Sequence, residues 1–276
     1  MRIIADSSCD LTPQMKADMD IQLIPLTMYV GDHEFRDDEN LNLPKFMETL
    51  KNTTAVPRSA CPSPNDFYEA FKEKGSVFVV TMTSALSGTY NSAMMAKQMM
   101  QEEDPSKVVH VFDTKGSSVK ETLMALKLDE LISEALEDQA IIEKATEYLD
   151  SMTYLFQLGN LDTMIKNGRI GKFKGIIANA LSIRPILKGD DEGREELVEN
   201  VRTEKKSIKR FVELIGEMGH SLEERTIGIS HCNAYDKAMK LKDEVMKKYP
   251  FKKAVVVETG GLSSMYMNEG GITVAF

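Results

Sequence analysis

Tryptophan is absent from this sequence, and cysteine and histidine are scarce. The three cysteines, Cys9, Cys61 and Cys232, lie far apart without CxxC spacing and form no disulfide framework, which indicates a reducing compartment. Residues 1–6 lack the apolar core of a secretory signal, and no run approaches the roughly 20 apolar residues that span a bilayer. We therefore expect a soluble, unprocessed, cytoplasmic protein.

The common catalytic and nucleotide-binding patterns are also missing. The sequence contains no GxGxxG, no GxxxxGK[ST] and no GxSxG, and none of its four histidines is tied by spacing to a serine. His231 and Cys232 form one close pair that ends a predicted strand, so we expect no metal site. A formal net charge of −9 without a basic stripe opposes nucleic-acid binding. We expect no cofactor and no catalysis, and a serine esterase or a stand-alone phosphotransferase is the alternative.

The sequence does contain apolar runs that alternate with helical patterns. In the first half this alternation has βαβ spacing, which predicts a mostly parallel sheet covered on both faces. In the second half, strand-like runs at residues 182–187 and 197–201 flank the turn between Gly189 and Gly193, and this hairpin predicts a mixed sheet. We expect an α/β fold with two α/β domains, residues 1–150 and 151–276.

Three expectations concern local structure. Residues 53–64 contain three prolines, and residues 58–63 are expected to form an ordered loop that ends where a helix begins. The adjacent carboxylates at 37–39 and 190–192 are expected to be solvated charges in turns. Methionine adapts to irregular apolar space, so the Met-rich helix around residues 94–100 is expected to contribute apolar lining.

The corner at residues 81–93 joins an apolar strand to this helix and is rich in hydroxyl groups. In a parallel α/β sheet such corners lie at the carboxyl ends of strands, where the first amides of the next helix can bind an anion. Ser84, Ser87 and Thr89 add side-chain donors, and Gly88 permits close approach of the backbone. These four residues are candidate ligand contacts, and the simpler alternative is that Ser87 only caps the helix.

Six short motifs follow one another along the chain: Asp6-Ser-Ser-Cys-Asp-Leu11, Ser59-Ala-Cys-Pro-Ser63, Leu86-Ser-Gly-Thr-Tyr90, Gly168-Arg-Ile-Gly171, Ile183-Arg-Pro-Ile186 and Val201-Arg-Thr-Glu-Lys-Lys206. Together these motifs resemble the DegV family of bacterial fatty-acid-binding proteins. The resemblance implies two α/β domains that hold one long-chain fatty acid, palmitate-like or oleate-like, between them. It also implies that a separate fatty acid kinase phosphorylates the carboxylate on this carrier.

Carried over by position, the resemblance also implies site residues. The family's two hydroxyl contacts to the carboxylate fall on Ser59 and Ser87. Its histidine near the end of the chain falls on Tyr266, in an expected loop at 265–270. A tyrosine can donate one hydrogen bond but, with a pKa near 10, cannot supply the cationic character of a histidine. Arg169 and Arg202 are the implied contacts with the kinase.

Overall fold

The computed structural model describes residues 1–169 and 183–276. Ile170 and Gly171 of the DegV-like motif, and the expected strand start at Ser182, lie outside the described residues. None of the described helices combines the length and the apolar character needed to cross a membrane.

The first half of the chain forms the predicted parallel sheet. All its strand pairs run parallel, and the strand order is β2-β1-β6-β7. Every residue of β6 is buried, as expected for a strand covered on both faces. The strands are β1 (Arg2–Asp6), β2 (Ile21–Ile24), β6 (Val77–Thr81) and β7 (Val109–Asp113).

The first half of the chain also contains a small antiparallel sheet that the sequence analysis did not predict. The apolar run at residues 21–30 divides at Pro25 into β2 and β3, which belong to different sheets. The expected loop at 58–63 is wrong in part, because residues 58–60 pair with β3 as a strand that lies between Pro57 and Pro62. Proline cannot donate to a ladder, and these two prolines confine the pairing to a short edge strand. The order is β4-β3-β5, with β3 (Thr27–Val30), β4 (His33–Arg36) and β5 (Arg58–Ala60).

The second half forms the predicted mixed sheet, with strand order β10-β9-β8-β13-β11-β12. The predicted hairpin is confirmed as the antiparallel pair of β9 and β10, and Gly193 in its turn has φ +76°. The neighbouring strands β11 and β12 run parallel. The strands are β8 (Tyr154–Gln157), β9 (Arg184–Gly189), β10 (Glu195–Val201), β11 (Thr226–His231), β12 (Lys253–Glu258) and β13 (Ile272–Ala275).

The helices begin with recognisable caps. Thr12 accepts a hydrogen bond from the amide of Met15, and Ser63 forms a capping box with Asp66. The described α-helices are α1 (Pro13–Asp18), α2 (Leu43–Asn52), α3 (Pro64–Phe71), α4 (Thr89–Glu103), α5 (Val119–Ser133), α6 (Asp138–Asp150), α7 (Asp162–Lys166), α8 (Glu204–Met218), α9 (Tyr235–Lys248) and α10 (Gly261–Met267).

Helix α5 lies between the two larger sheets. It packs against β1 and β6 on one side and against β11 and β13 on the other. A Cβ at Gly228 of β11 would lie 2.6 Å from Cγ2 of Val119, so this glycine allows the close approach of helix and sheet. One hydrophobic cluster therefore contains residues from both halves of the chain. The division into two domains near residue 150 stays a prediction.

Candidate functional site

A cavity lies where the carboxyl ends of β1 and β6 face the mixed sheet. The space between its lining atoms, including the open part, is about 820 Å³. Most of the lining is apolar and comes from both halves of the chain. The apolar and aromatic lining residues are Leu26, Met82, Leu86, Tyr154, Phe156, Leu158, Met164, Leu262 and Met267.

The methionines of α4 do not contribute to this lining, which corrects the expectation for the Met-rich helix. Met94, Met95 and Met99 are exposed on the surface of α4, and Met100 is buried in a separate cluster under the parallel sheet. The helix presents one face to the protein, and these three side chains lie outside that face. The methionines of the cavity follow β6 or belong to α7 and α10.

Four polar side chains lie together at one part of the cavity, which we call the polar end: Ser59, Ser87, Arg169 and Tyr266. The hydroxyl oxygens of Ser59 and Tyr266 are 3.0 Å apart. Arg169 donates from Nε to the carbonyl oxygen of Leu86 at 3.1 Å, and its guanidinium carbon lies 5.5 Å from the centroid of the Tyr266 ring. These contacts bring together three hydroxyl groups and one cation from four separate chain segments.

The local backbone structure fixes the positions of Ser59 and Ser87 at the polar end. Ser59 lies in the middle of β5, opposite Met28, so strand pairing fixes its side chain. Ser87 lies before α4, and its Oγ is 2.8 Å from Oγ1 of Thr89 and accepts from the Thr89 amide at 3.3 Å. Ser87 is thus both a partial helix cap and a cavity residue, so the two alternatives derived from the sequence are compatible.

The other candidates from this corner do not line the cavity. Ser84 is exposed, and its amide donates to Asp113. Thr89 is fully buried beside Ser87, which it helps to position. Gly88 faces Cys61, because a Cβ at this position would lie 3.1 Å from the sulfur. The space that Gly88 leaves is therefore used for packing against the segment after β5.

Tyr266 lies on a helix, so the expected loop at 265–270 is wrong in part: residues 265–267 belong to α10, and residues 268–270 form the turn after it. Two buried carboxylates bind the beginning of α10: Asp37 accepts from the amides of Gly261 and Leu262 at 2.9 and 3.0 Å, and Asp10 accepts from the Gly260 amide at 2.7 Å. Negative charge at a helix N-terminus satisfies free amides and interacts favourably with the helix dipole. These bonds hold the helix that carries Tyr266.

Asp37 is therefore not a solvated charge, which corrects the expectation for this residue, whereas Glu39 is exposed in a turn as expected. The Asp37 side chain is buried, and burial raises its pKa. Asp190, by contrast, accepts from backbone amides in the hairpin turn before β10. The sequence could not distinguish these two acidic turns, because the amides bound by Asp37 lie more than 200 residues away.

The two arginines implied as kinase contacts differ in exposure. Arg202 is exposed between β10 and α8. Arg169 is only half-buried, and its head group is held at the polar end by Leu86 and Tyr266. No acidic side chain of residues 1–169 and 183–276 forms an ion pair with Arg169. A cation at the polar end favours an anionic guest.

A second polar region of the cavity was missed by sequence reasoning. We call it the hydroxyl wall, and it consists of Ser8, Ser117, Ser118, Tyr154 and Thr273. Ser8 follows β1 and belongs to the DegV-like motif at residues 6–11, but the sequence did not assign it to the site. The sequence did not indicate Thr273 as a cavity residue, because a single threonine in an apolar strand is common.

Buried carboxyl groups lie behind the hydroxyl wall. Ser118 donates to Asp10, and Ser8 donates to Glu121. Burial raises the pKa of Asp10 to about 7 and raises the pKa of Glu121 well above its ordinary value. Neither Asp10 nor Glu121 forms an ion pair within the part of the chain that the structure describes. In that same part, no three His, Cys, Asp or Glu side chains are grouped so as to hold a metal ion.

The chain is similar to known proteins in both sequence and structure. The sequence profile of the DegV family, which is described as a family of uncharacterised proteins, matches residues 1–276. The chain belongs to the DegV family. A DegV domain-containing protein from Streptococcus gordonii is 35% identical over 277 residues, which cover 100% of this chain and 98% of the relative.

Two solved DegV structures are similar over their full length. A DegV family protein from Ruminococcus gnavus, with vaccenic acid, has a TM-score of 0.96 at 31% identity and covers 100% of this chain and 99% of its own. The Fatty Acid Kinase B3 protein of Streptococcus pneumoniae, loaded with linoleic acid, has a TM-score of 0.93 at 32% identity, with 100% and 98% covered. The α/β fold predicted from the sequence is confirmed by this similarity.

Proposed function

We propose that this chain is a non-catalytic carrier of one long-chain fatty acid. The observation that carries this proposal is a cavity whose lining is apolar over most of its area and contains Ser59, Ser87, Tyr266 and Arg169 at one part. Two DegV relatives above 30% identity hold vaccenic and linoleic acid. The polar end is the place for the carboxylate, and the apolar lining is the place for the tail.

The expected energetics agree with this division of roles. Each buried CH₂ group contributes about 0.8 kcal/mol, so a 16-carbon tail gains on the order of 12 kcal/mol before ordering costs. Hydrogen bonds to a charged carboxylate contribute roughly 1.5–3 kcal/mol each. The tail therefore supplies most of the affinity, and the polar end supplies orientation and discrimination between head groups.

The proposed carrier presents its carboxylate to a separate fatty acid kinase. The similarity to the Fatty Acid Kinase B3 protein supports this role. In this proposal Arg202, which is exposed, contacts the kinase. Arg169 contacts both the kinase and the head group, because it lies at the polar end beside Tyr266.

A stand-alone enzyme is the competing function. A serine esterase needs a base at its nucleophile, but Ser87 contacts Thr89, and among the described residues no histidine hydrogen-bonds to it. Labelling of Ser87 by a fluorophosphonate probe, or ATP turnover by the isolated chain, would favour the enzyme.

Native mass spectrometry tests the carrier function directly. We expect protein purified from bacteria without added lipid to retain one acyl ligand, and delipidated protein to take up one palmitate or oleate. A fatty alcohol of equal length serves as the control for the head group and is expected to bind more weakly. The carrier proposal fails if no acyl ligand co-purifies and neither acid is taken up.

Replacing Tyr266 by Phe is expected to weaken acid binding by about 1 kcal/mol, the contribution of one net hydrogen bond. The physical reason is the position of the phenol, 3.0 Å from Ser59 at the polar end. Isothermal titration calorimetry measures the change, and Tyr235→Phe, at a tyrosine that is 60% exposed, is the matched control.

Tyr266→His provides the complementary test of this position. We expect it to preserve binding and to increase phosphorylation of the bound acid by a fatty acid kinase, because a histidine can be cationic near neutral pH. Equal phosphorylation of the wild type and Tyr266→His, together with unchanged binding by Tyr266→Phe, would show that the phenol does not contact the carboxylate.

A further inference from the structure

The chain turns at the end of α7, and backbone hydrogen bonds fix this turn, residues 167–169, which we call the α7 turn. The amide of Gly168 donates to the carbonyl oxygen of Ile165 at 3.1 Å, and the amide of Arg169 donates to that of Met164 at 2.9 Å. These two bonds form a Schellman motif, and Gly168 has the positive φ, +69°, that the motif requires. The motif leaves Arg169 beside Met164 in the lining of the cavity.

The side chain of Asn167 connects the α7 turn to the first half of the chain. Its Nδ2 donates to the carbonyl oxygen of Pro57 at 2.8 Å and to that of Thr163 at 2.9 Å. Pro57 is buried and lies directly before β5, two residues before Ser59. Within residues 1–169 and 183–276, β5 pairs with β3 alone and is an edge strand. The Asn167 side chain therefore binds the beginning of the edge strand that carries Ser59.

Arg169 makes a second contact between the α7 turn and the first half of the chain. Its Nε donates to the carbonyl oxygen of Leu86, one residue before Ser87. The α7 turn thus binds the start of β5 through one side chain and the segment before Ser87 through another. Because the Schellman motif fixes the backbone between these two side chains, the α7 turn constrains the distance between the two segments.

We propose that Asn167 is a positioning residue, which holds Ser59 at the distance from Ser87 that a carboxylate requires. This inference rests on the proposed function, since it concerns how the polar end recognises the acid. A carboxylate has two acceptor oxygens at a fixed separation, so two hydroxyls can both donate to it only at a suitable spacing. The single oxygen of an alcohol does not require that spacing. Asn167 does not line the cavity, and it acts through Ser59.

Asn167→Leu tests this role. Leucine is close in shape to asparagine, carries no charge and cannot donate to Pro57, while the backbone bonds of the α7 turn remain. Delipidated full-length protein is titrated with palmitate and with hexadecanol. We expect the dissociation constant for palmitate to rise about fivefold, the effect of about one net hydrogen bond, and that for hexadecanol to stay unchanged. Asn91→Leu, at an exposed asparagine near the start of α4, is the matched control.

A double-mutant cycle shows whether Asn167 acts through Ser59. Ser59→Ala removes the hydroxyl that is to be positioned, so in this background Asn167→Leu is expected to leave the palmitate affinity unchanged. A purely structural role of Asn167 would lower the palmitate affinity by the same factor in both backgrounds, and it would weaken hexadecanol binding as well.

The outcomes separate this inference from the carrier function. The inference alone is overturned if Asn167→Leu leaves palmitate binding unchanged, weakens both ligands by the same factor, or weakens palmitate equally in both backgrounds. If the wild type does not bind palmitate, or binds hexadecanol as tightly, the proposed function fails and the inference fails with it. Should circular dichroism show that Asn167→Leu is unfolded, Asn167→Ala, which only shortens the side chain, decides between the same outcomes.

Discussion

Replacing Ser87 by Ala is expected to weaken the binding of a long-chain fatty acid by about tenfold or more. Ser87 lies at the polar end, before the N-terminus of α4, where its hydroxyl can turn from Thr89 to donate to the carboxylate. A hydrogen bond to a charged partner contributes roughly 1.5–3 kcal/mol, and 1.4 kcal/mol corresponds to a factor of ten. We expect Ser59→Ala to have an effect of similar size.

Ser84→Ala is the matched control for Ser87→Ala. Ser84 belongs to the same corner, but its side chain is exposed and does not line the cavity. The dissociation constants for palmitate and for hexadecanol should be measured with all three proteins. Ser87→Ala should affect the acid more than the alcohol, since only the acid has a charge. A wild type that binds the alcohol as tightly as the acid would show that the site does not recognise a carboxylate.

The ligand-free protein is expected to lose stability as the pH rises from 5 to 8. Burial raises the pKa of Asp10 from an ordinary 3.8 to about 7, so between these values the folded state holds a proton that the unfolded state has lost. The stabilisation is fully present below the unfolded pKa and is lost as the pH rises through the folded pKa. For Asp10 alone, the two pH units between pH 5 and the folded pKa of about 7 correspond to about 3 kcal/mol in the free energy of unfolding.

Other buried titratable groups also contribute to the dependence of stability on pH. Burial also raises the pKa of Asp6, Asp37 and Glu121, which act in the same direction as Asp10. Burial lowers the pKa of His110 and His231, and these two histidines act in the opposite direction. The contribution of one carboxyl group must therefore be isolated by substitution.

Asp10→Asn isolates that contribution, because asparagine resembles the protonated carboxyl and retains an acceptor for the Gly260 amide. Urea unfolding of delipidated protein at pH 5 and pH 8 should show a smaller loss of stability for this variant than for the wild type. Asp20→Asn, at an exposed aspartate, should keep the wild-type loss. Equal pH dependence in the wild type and Asp10→Asn would contradict the raised pKa.

The fold class and much of the polar end were accessible from the sequence, because they depend on local patterns. Apolar runs at βαβ spacing predicted the parallel sheet, and the glycine-bounded turn before β10 predicted the hairpin, since Gly193 adopts a positive φ at little cost. Helix caps such as Thr12 and Ser63 depend on residues three positions apart. The DegV-like motifs placed Ser59, Ser87 and Tyr266, and the structure brings them to one cavity.

The features that only the tertiary structure determines depend on contacts between distant segments of the chain. Ser59 lies on a strand because β3 offers it a partner, although prolines lie two positions before it and three positions after it. Residues 261–267 form a helix because Asp37 and Asp10 bind its first amides, a cap that local sequence does not contain. The hydrogen bonds at the hydroxyl wall join Asp10, Ser118, Ser230 and Thr273, which are spread over the whole chain. Local patterns determine which elements form, whereas burial and pairing determine which side chains face the ligand.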